Sequence, residues 1–285
     1  MISDITLGQF FPGYSPLHRL DPRTKLIMAT LFIVAVFLAS NPLSFLIVAL
    51  IVCAMIFVSR ISFKVIIKSI KPIVFILIFT SILNLFMTKG DSEPIRLWIF
   101  EIYEEGIYRA IFMSLRVIFL IVGTSMLLTY TTSPISLTDG IESLLSPLKK
   151  IGVPVHTFAM MMSIALRFIP TLVEETEKIM NAQKSRGADF SSGGLIKRAK
   201  ALIPILIPLF VSSFKRADEL ACAMECRCYR GDVNRTKMVK LEYRTRDIFA
   251  ILFALLFLGL IIFVKVLPDN MLPNISFIEF MFYKI

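Results

Sequence analysis

The 285-residue chain has one Trp, two His and four Cys, and no Asp or Glu inside any of its long apolar runs. Each shortage narrows what the chain can be. The absence of carboxylates at mid-depth counts against a self-contained secondary transporter, which needs such groups to couple an ion gradient, and leaves it as an alternative. There is no GxxxxGK[ST] and no GxGxxG, so the chain has neither a P-loop for ATP nor a dinucleotide fingerprint. Cys53, Cys222, Cys226 and Cys228 form no paired framework and read as reduced thiols. Cys222-Ala-Met-Glu-Cys226-Arg-Cys228 lacks the CxxC pairs of a zinc site and reads as small helix-packing residues. His18 and His156 have no Ser, Cys or carboxylate partner in a catalytic spacing and read as structural. No catalytic residue, cofactor or metal ligand is expected, so any energy the chain uses comes from another subunit or an ion gradient.

Apolar residues are abundant instead. Hydrophobic residues make up 56%, with 25 Phe and only 18% charged residues, and the mean hydropathy is +0.76. That apolar excess is more than one soluble core uses, which points to lipid. The N-terminus lacks the basic-then-apolar order of a cleavable signal, so insertion is expected to begin at the first apolar helix. A bilayer span takes about 20 residues, and five segments approach that length. The first opens at Asp21-Pro22, an N-cap with proline at the first helical position, and runs to about Ser40. The second follows at once, from Pro42 to about Val58. The third covers Ile70 to Met87, the fourth Ile107 to Tyr130 and the fifth Ile248 to Val266. The expected fold is therefore an all-α polytopic membrane protein.

Charge orients the spans. The net charge of +10 would suit nucleic acid on a soluble protein, but here it marks sidedness and a partner surface, and nucleic acid is excluded. Arg60, Lys64, Lys68 and Lys71 lie between spans two and three with no acid among them, whereas Asp91, Glu93, Glu101, Glu104 and Glu105 crowd the next link. The first link is thus expected in the cytoplasm and the second outside. His18, Arg19, Arg23 and Lys25 place the N-terminus inside; Trp98, Tyr103 and Tyr108 form an external aromatic belt; and an odd number of spans leaves the C-terminus outside. The expected organisation is a membrane domain over 1–130, a cytoplasmic or interfacial module of long helices over 131–247, and a last span with an external tail over 248–285.

The module holds 18 Lys/Arg against 12 Asp/Glu. Thr138-Asp139 signals a short helix ending at Gly152. Two long stretches follow, each apolar first and charged second. One runs from Pro154 to Arg186 and is closed by Gly187; the other follows the turn Ser191-Ser192-Gly193-Gly194 and is stopped by Gly231. They form a weak repeat with Arg186 and Arg227 in register: Ala182 and Ala223 lie four residues before each arginine, Glu177 and Asp218 nine before. Pro170, Pro204 and Pro208 interrupt the apolar halves, and both helices are expected to lie along the membrane face. Each arginine ends a helix among small residues, Ser185-Arg186-Gly187 and Cys226-Arg227-Cys228, so each tip is narrow and carries one planar, permanent charge. A cation at a helix C-terminus also answers the helix dipole, but two matched tips favour docking. Phe158, Met160, Met161, Met162 and Phe168 suit adaptable contact with a partner, with core packing as the alternative. Arg116, in mid-span four, reads equally well as a structural and a functional charge.

These features together resemble one family. ITLGQFFPGYSPLHRLDPRTKLI at the start, TTSPISLTDGIESLLSPLKKIGVP after span four, and the two arginine tips with ADELACAMECRCYRG are similar to the transmembrane T component of energy-coupling factor transporters. The resemblance covers nearly the whole chain; where the family most often has Ala before each tip arginine, this chain has Ser185 and Cys226. It implies a non-catalytic coupling subunit in the cell membrane. Its partners would be two cytoplasmic ABC-type ATPases, which bind the ATP and Mg, and a small membrane subunit that binds a vitamin or other micronutrient. Ser185, Arg186, Gly187, Cys226, Arg227 and Cys228 would then dock the ATPases. The alternatives are a secondary transporter or the permease of an ordinary ABC importer.

Overall fold

The computed structural model describes residues 10–87, 95–97, 100–188, 190, 194–231 and 241–266. Trp98, the Lys89 to Glu93 part of the acidic link, the Ser191 to Gly193 turn, the first nine residues and the tail beyond Val266 lie outside the described residues. The helices are α1 (Pro22–Leu38), α2 (Pro42–Ser59), α3 (Phe63–Ile70), α4 (Val74–Met87), α5 (Glu104–Thr124), α6 (Pro134–Leu145), α7 (Val155–Ser185), α8 (Leu195–Cys226) and α9 (Thr245–Val266). One antiparallel ribbon, β1 (Ile95–Leu97) with β2 (Phe100–Ile102), joins α4 to α5, pairing Ile95 with Ile102 and Leu97 with Phe100. The protein is a polytopic, all-α membrane protein with this small ribbon as its one β feature among the described residues. Its helices form two compact units, one of α1–α5 with α9 and one of α6–α8.

Among the described residues, five helices are long and apolar enough to cross a membrane: Pro42–Ser59, Phe63–Phe86, Gly106–Thr129, Val155–Ser185 and Thr245–Val266. The number matches the expectation, but the membership differs at three points. The third span begins at Phe63, not Ile70, because α3 continues through a single 3-10 turn at Lys71–Ile73 into α4. Lys64 and Lys68, read from sequence as part of a link, are therefore helical. α7, expected along the membrane face, meets the length and hydropathy a span requires. α1, at 17 residues, falls just short by length.

α1 nevertheless runs the length of α9, and in the same direction. At their starts the backbone N–H of Asp21 donates to Asp247 Oδ1 at 2.8 Å; past the other end of α1, Asn41 Nδ2 is 3.5 Å from the carbonyl of Val264. The 17 residues of α1 plus its caps thus cover what α9 covers. α1 starts where the sequence places it, because Asp21 Oδ1 accepts from Arg23 N at 2.9 Å and Pro22 needs no donor partner.

The start of the α1–α9 pair is a buried polar cluster. Asp247, 2% exposed, also accepts from Arg244 N at 2.9 Å. Lys25, likewise 2% exposed, donates through Nζ to the carbonyl of Thr131 at 2.7 Å and to Thr132 Oγ1 at 3.2 Å, with Asp21 and Asp247 supplying opposite charge. Arg23 lies over the ring of Tyr243, 5.3 Å from its centroid. α5 passes into a five-residue π turn, Ser125–Thr129, which delivers Thr131 and Thr132 to this lysine. The preceding segment is stapled on by His18, whose Nδ1 accepts from Ser15 Oγ at 2.6 Å while Nε2 donates to Phe11 O at 2.9 Å; Phe11 N in turn donates to Tyr130 O at 3.1 Å. His18, expected to stand alone, thus has a serine partner three residues away, and its second nitrogen is taken by a backbone carbonyl, so the contact serves the local fold.

The core packs along the same helices. Phe32 and Phe257 stack at 6.3 Å between α1 and α9, with Ala35, Val36, Val48, Met126 and Ile261 around them. Gly123 gives Phe32 its place: a Cβ there would overlap the phenyl ring.

Two substitutions test these contacts in the purified full-length protein. Lys25→Met removes the donor to Thr131 O and Thr132 Oγ1 and the cation near Asp21 and Asp247, and is expected to cost about 1–3 kcal/mol, read as a lower Tm in detergent. Gly123→Ala is expected to cost about 1–3 kcal/mol by overpacking and to recover in part with Phe32→Leu; an unchanged Tm for Gly123→Ala would refute the close approach.

Candidate functional site

α7 and α8 are long because each combines an apolar half with a charged half rich in strong helix formers, and each continues through its internal prolines, Pro170 in α7 and Pro204 and Pro208 in α8, to its arginine. Both then stop in the same way. At the end of α7, Gly187 N donates to Lys184 O at 2.9 Å and Ala188 N to Gln183 O at 3.0 Å. At the end of α8, Cys228 N donates to Glu225 O at 2.8 Å and Tyr229 N to Met224 O at 3.0 Å. These are two Schellman motifs in one register, with Arg186 and Arg227 as the C-cap residues and Gly187 and Cys228 in the left-handed position, φ +85° and +59°. The expected stop at Gly231 is therefore corrected: α8 ends at Cys226, because Cys228 takes the conformation that glycine takes in the first tip. Both arginines are exposed. Ser185 turns its hydroxyl back to Asn181 O at 3.1 Å, leaving the first guanidinium uncrowded.

The register continues into the helices. Arg216 Nη2 meets Glu175 Oε2 at 2.8 Å, and Ser212 Oγ donates to the other carboxylate oxygen. Glu175 and Arg216 are themselves repeat equivalents, since each lies eleven residues before its arginine tip. The helices thus meet at matching points, and each arm reaches about 16 Å from that meeting to its cap. The pair carries opposite charges at equivalent positions, which fixes the register of one helix on the other.

The proposed apolar contact patch divides. Phe158, Met161 and Met162 are exposed on α7, whereas Met160 and Phe168 are half-buried. α8 presents a wider exposed apolar face, Ile203, Leu206, Ile207, Phe210 and Phe214. Its spacing, i, i+3, i+4, i+7, was legible in the sequence; the two prolines drew the reading toward a membrane-facing half-helix instead. α6 starts at Pro134 and not at Thr138-Asp139, because the proline takes the first helical position and the Thr138 hydroxyl turns back to Pro134 O at 3.0 Å. His156 Nδ1 meets Glu142 Oε1 at 2.8 Å, joining α7 to α6 across the turn at Gly152. A fourteen-residue separation hides that partner from any spacing rule.

Arg116 makes contacts within the helix bundle. Its Nη2 donates to Ala39 O at 2.7 Å, and its guanidinium lies 5.5 Å from the Phe45 centroid, Phe45 packing in turn on Phe112 at 5.0 Å. Ala39 is the C-cap of α1, where carbonyls lose their helical partners. A cation there replaces the missing donor in an apolar setting.

Two predictions follow from the tips and the crossing. Cys228→Gly is expected to stabilise the α8 terminus by about 1 kcal/mol, since glycine enters the left-handed region without strain, read as slower amide exchange over 224–229. Glu175→Arg is expected to loosen the crossing, and Glu175→Arg with Arg216→Glu to restore it; a double-mutant cycle on Tm with no coupling between the two positions would dismiss the pair.

Comparison with known proteins agrees with this architecture. Residues 13–238 match the family model CbiQ, described as cobalt transport protein. The chain is 54% identical over 256 residues to the energy-coupling factor transporter transmembrane protein EcfT of Clostridium kluyveri, covering 90% of this chain and 94% of that one. It is 47% identical over 265 residues to the protein of the same name from Bacillus subtilis, covering 93% of this chain and all of the relative. With two arginine-capped helices of equal reach, and identity of this extent along nearly the full length, the chain belongs to the CbiQ/EcfT family of transporter transmembrane proteins.

Proposed function

We propose that this chain is the mechanical coupler of an energy-coupling factor importer, held in the membrane between two cytoplasmic ATPases and a small membrane subunit that binds the cargo. The observation that carries the reading is the equivalence of the two tips: the same cap, the same register and the same length of helix beyond the Glu175–Arg216 contact. Two identical terminations suit two similar sockets. Each guanidinium, exposed at a C-cap, is placed to form charge-assisted hydrogen bonds with carboxylate or carbonyl groups of one ATPase.

In this mechanism ATP binding and hydrolysis by the partners close and open the ATPase pair and carry the tips with it. Because α7 and α8 are stiff over the whole of each arm, displacement at a tip is delivered to the apolar halves. Phe158, Met161 and Met162 on α7, with Ile207, Phe210 and Phe214 on α8, give the cargo-binding subunit an adaptable apolar surface on which to reorient. The cargo, a vitamin or other micronutrient, is read by that subunit. ATP and Mg are held by the ATPases, and no residue of this chain takes part in the chemistry. The N-terminus, the shared starts of α1 and α9, and the α2–α3 junction with its lysines face the cytoplasm; the acidic link and the C-terminus face outward.

Co-expression with the ATPases tests the reading. Arg186→Glu and Arg227→Glu are each expected to weaken ATPase association by at least about 2 kcal/mol, seen as a drop in co-purified ATPase while the membrane protein is produced normally. Wild-type co-purification from both variants would overturn it.

A further inference from the structure

The junction of α3 with α4 has a chemistry that coupling does not require. Lys64, Lys68 and Lys71 follow one another at i, i+4 and i+7, all exposed on one side of the helix. Ile66, buried against the core, anchors another side, and Phe63 and Ile67 stand exposed as an apolar edge beside the lysines. The lysines and Ile67, Ile70 and Val74 line an open groove of about 400 Å³. No Asp or Glu occurs between Arg60 and Met87. On α5, which packs against this segment, the acids Glu104 and Glu105 lie at the opposite end, near Leu85 at the far end of α4. Val74, Ile78 and Ile82 then continue as an exposed apolar track at four-residue steps along α4, away from the lysines.

From this juxtaposition we infer that the α3–α4 junction is a binding site for an anionic glycerophospholipid, its phosphate headgroup held by Lys64, Lys68 and Lys71 and an acyl chain laid along Val74, Ile78 and Ile82. Lysines that served only to set orientation would need neither a groove nor an apolar floor beneath them. Three ammonium groups without a carboxylate answer a phosphate as point charges. The track begins where the headgroup site ends and runs along a helix apolar enough to span the bilayer, which is the layout of one lipid molecule. An acidic protein surface would match the charges but leave Val74, Ile78 and Ile82 unexplained.

The full-length protein in mild detergent is titrated with dioleoyl-phosphatidylglycerol or dioleoyl-phosphatidylcholine, and bound lipid is counted by native mass spectrometry. Retention of phosphatidylglycerol is expected to exceed that of phosphatidylcholine and to fall at least about tenfold in the Lys64→Gln/Lys68→Gln/Lys71→Gln variant. The Lys→Arg triple, which keeps charge and length, is expected to retain the lipid. Equal retention by wild type and the Gln triple would overturn the proposal, as would equal retention of the two lipids by wild type. Release of the bound lipid by millimolar inorganic phosphate would identify a free-phosphate site instead. If the Gln triple lost co-purified ATPase but kept its phosphatidylglycerol, the lysines would belong to a protein interface and the lipid site would be wrong. The triple leaves Arg186 and Arg227 untouched, so failure here is separable from failure of the coupling mechanism.

Discussion

A charge removed from water must find its partners before the helices around it can close, and in this protein that condition falls on Lys25. Its ammonium is satisfied only when the segment after α5 supplies Thr131 and Thr132 and when Asp21 and Asp247 bring their carboxylates near. Those groups come from three stretches of chain more than a hundred residues apart. The same cluster contains the residues just before the α6–α8 excursion leaves the membrane unit and just after it returns. The cluster therefore lies wholly within the unit of α1–α5 and α9, on the residues that flank the α6–α8 unit in the chain. The apolar packing of Phe32 on Phe257 and the accommodation of Phe32 by Gly123 follow from the alignment of α1 with α9.

Much of this was legible in the order of residues. Asp21-Pro22 announced the start of α1, the hydropathy runs located α2, α4, α5 and α9, and the spacing of Arg186 and Arg227 announced a repeat. Boundaries were lost where a local signal had a stronger competitor. Thr138-Asp139 looks like a cap, but Pro134 begins the helix earlier and Thr138 bonds inward. Lys64 and Lys68 look like a loop, yet they continue a helix whose other face is buried. Pairings were lost for a different reason. Glu175 with Arg216, His156 with Glu142 and Arg116 with Ala39 depend on how helices cross, and crossing is a property of packed surfaces rather than of spacing. Cys228 is the instructive intermediate: nothing in its chemistry marks it for a left-handed backbone, but alignment of the two arginines puts it opposite Gly187, and the alignment was available.

Polar economy unites these details. Each unusual charge in the membrane unit lies at a place where the backbone or another charge is left wanting: Lys25 at the carbonyl beyond the π turn, Asp247 at the N–H of Asp21, Arg116 at the end of α1. In a medium without water such substitutions are the condition for a helix to stop at all. The short helix α1 ends beneath an arginine that donates to the carbonyl of its C-cap, Ala39.

The equal reach of α7 and α8 beyond Glu175 and Arg216 has a mechanical meaning. Two arms of one length from a common crossing set the two arginines at equal distance from it, so a given angular change at the crossing would carry either tip through the same arc. The single ion pair at that crossing fixes register, which is a task suited to a half-exposed contact worth little energy on its own.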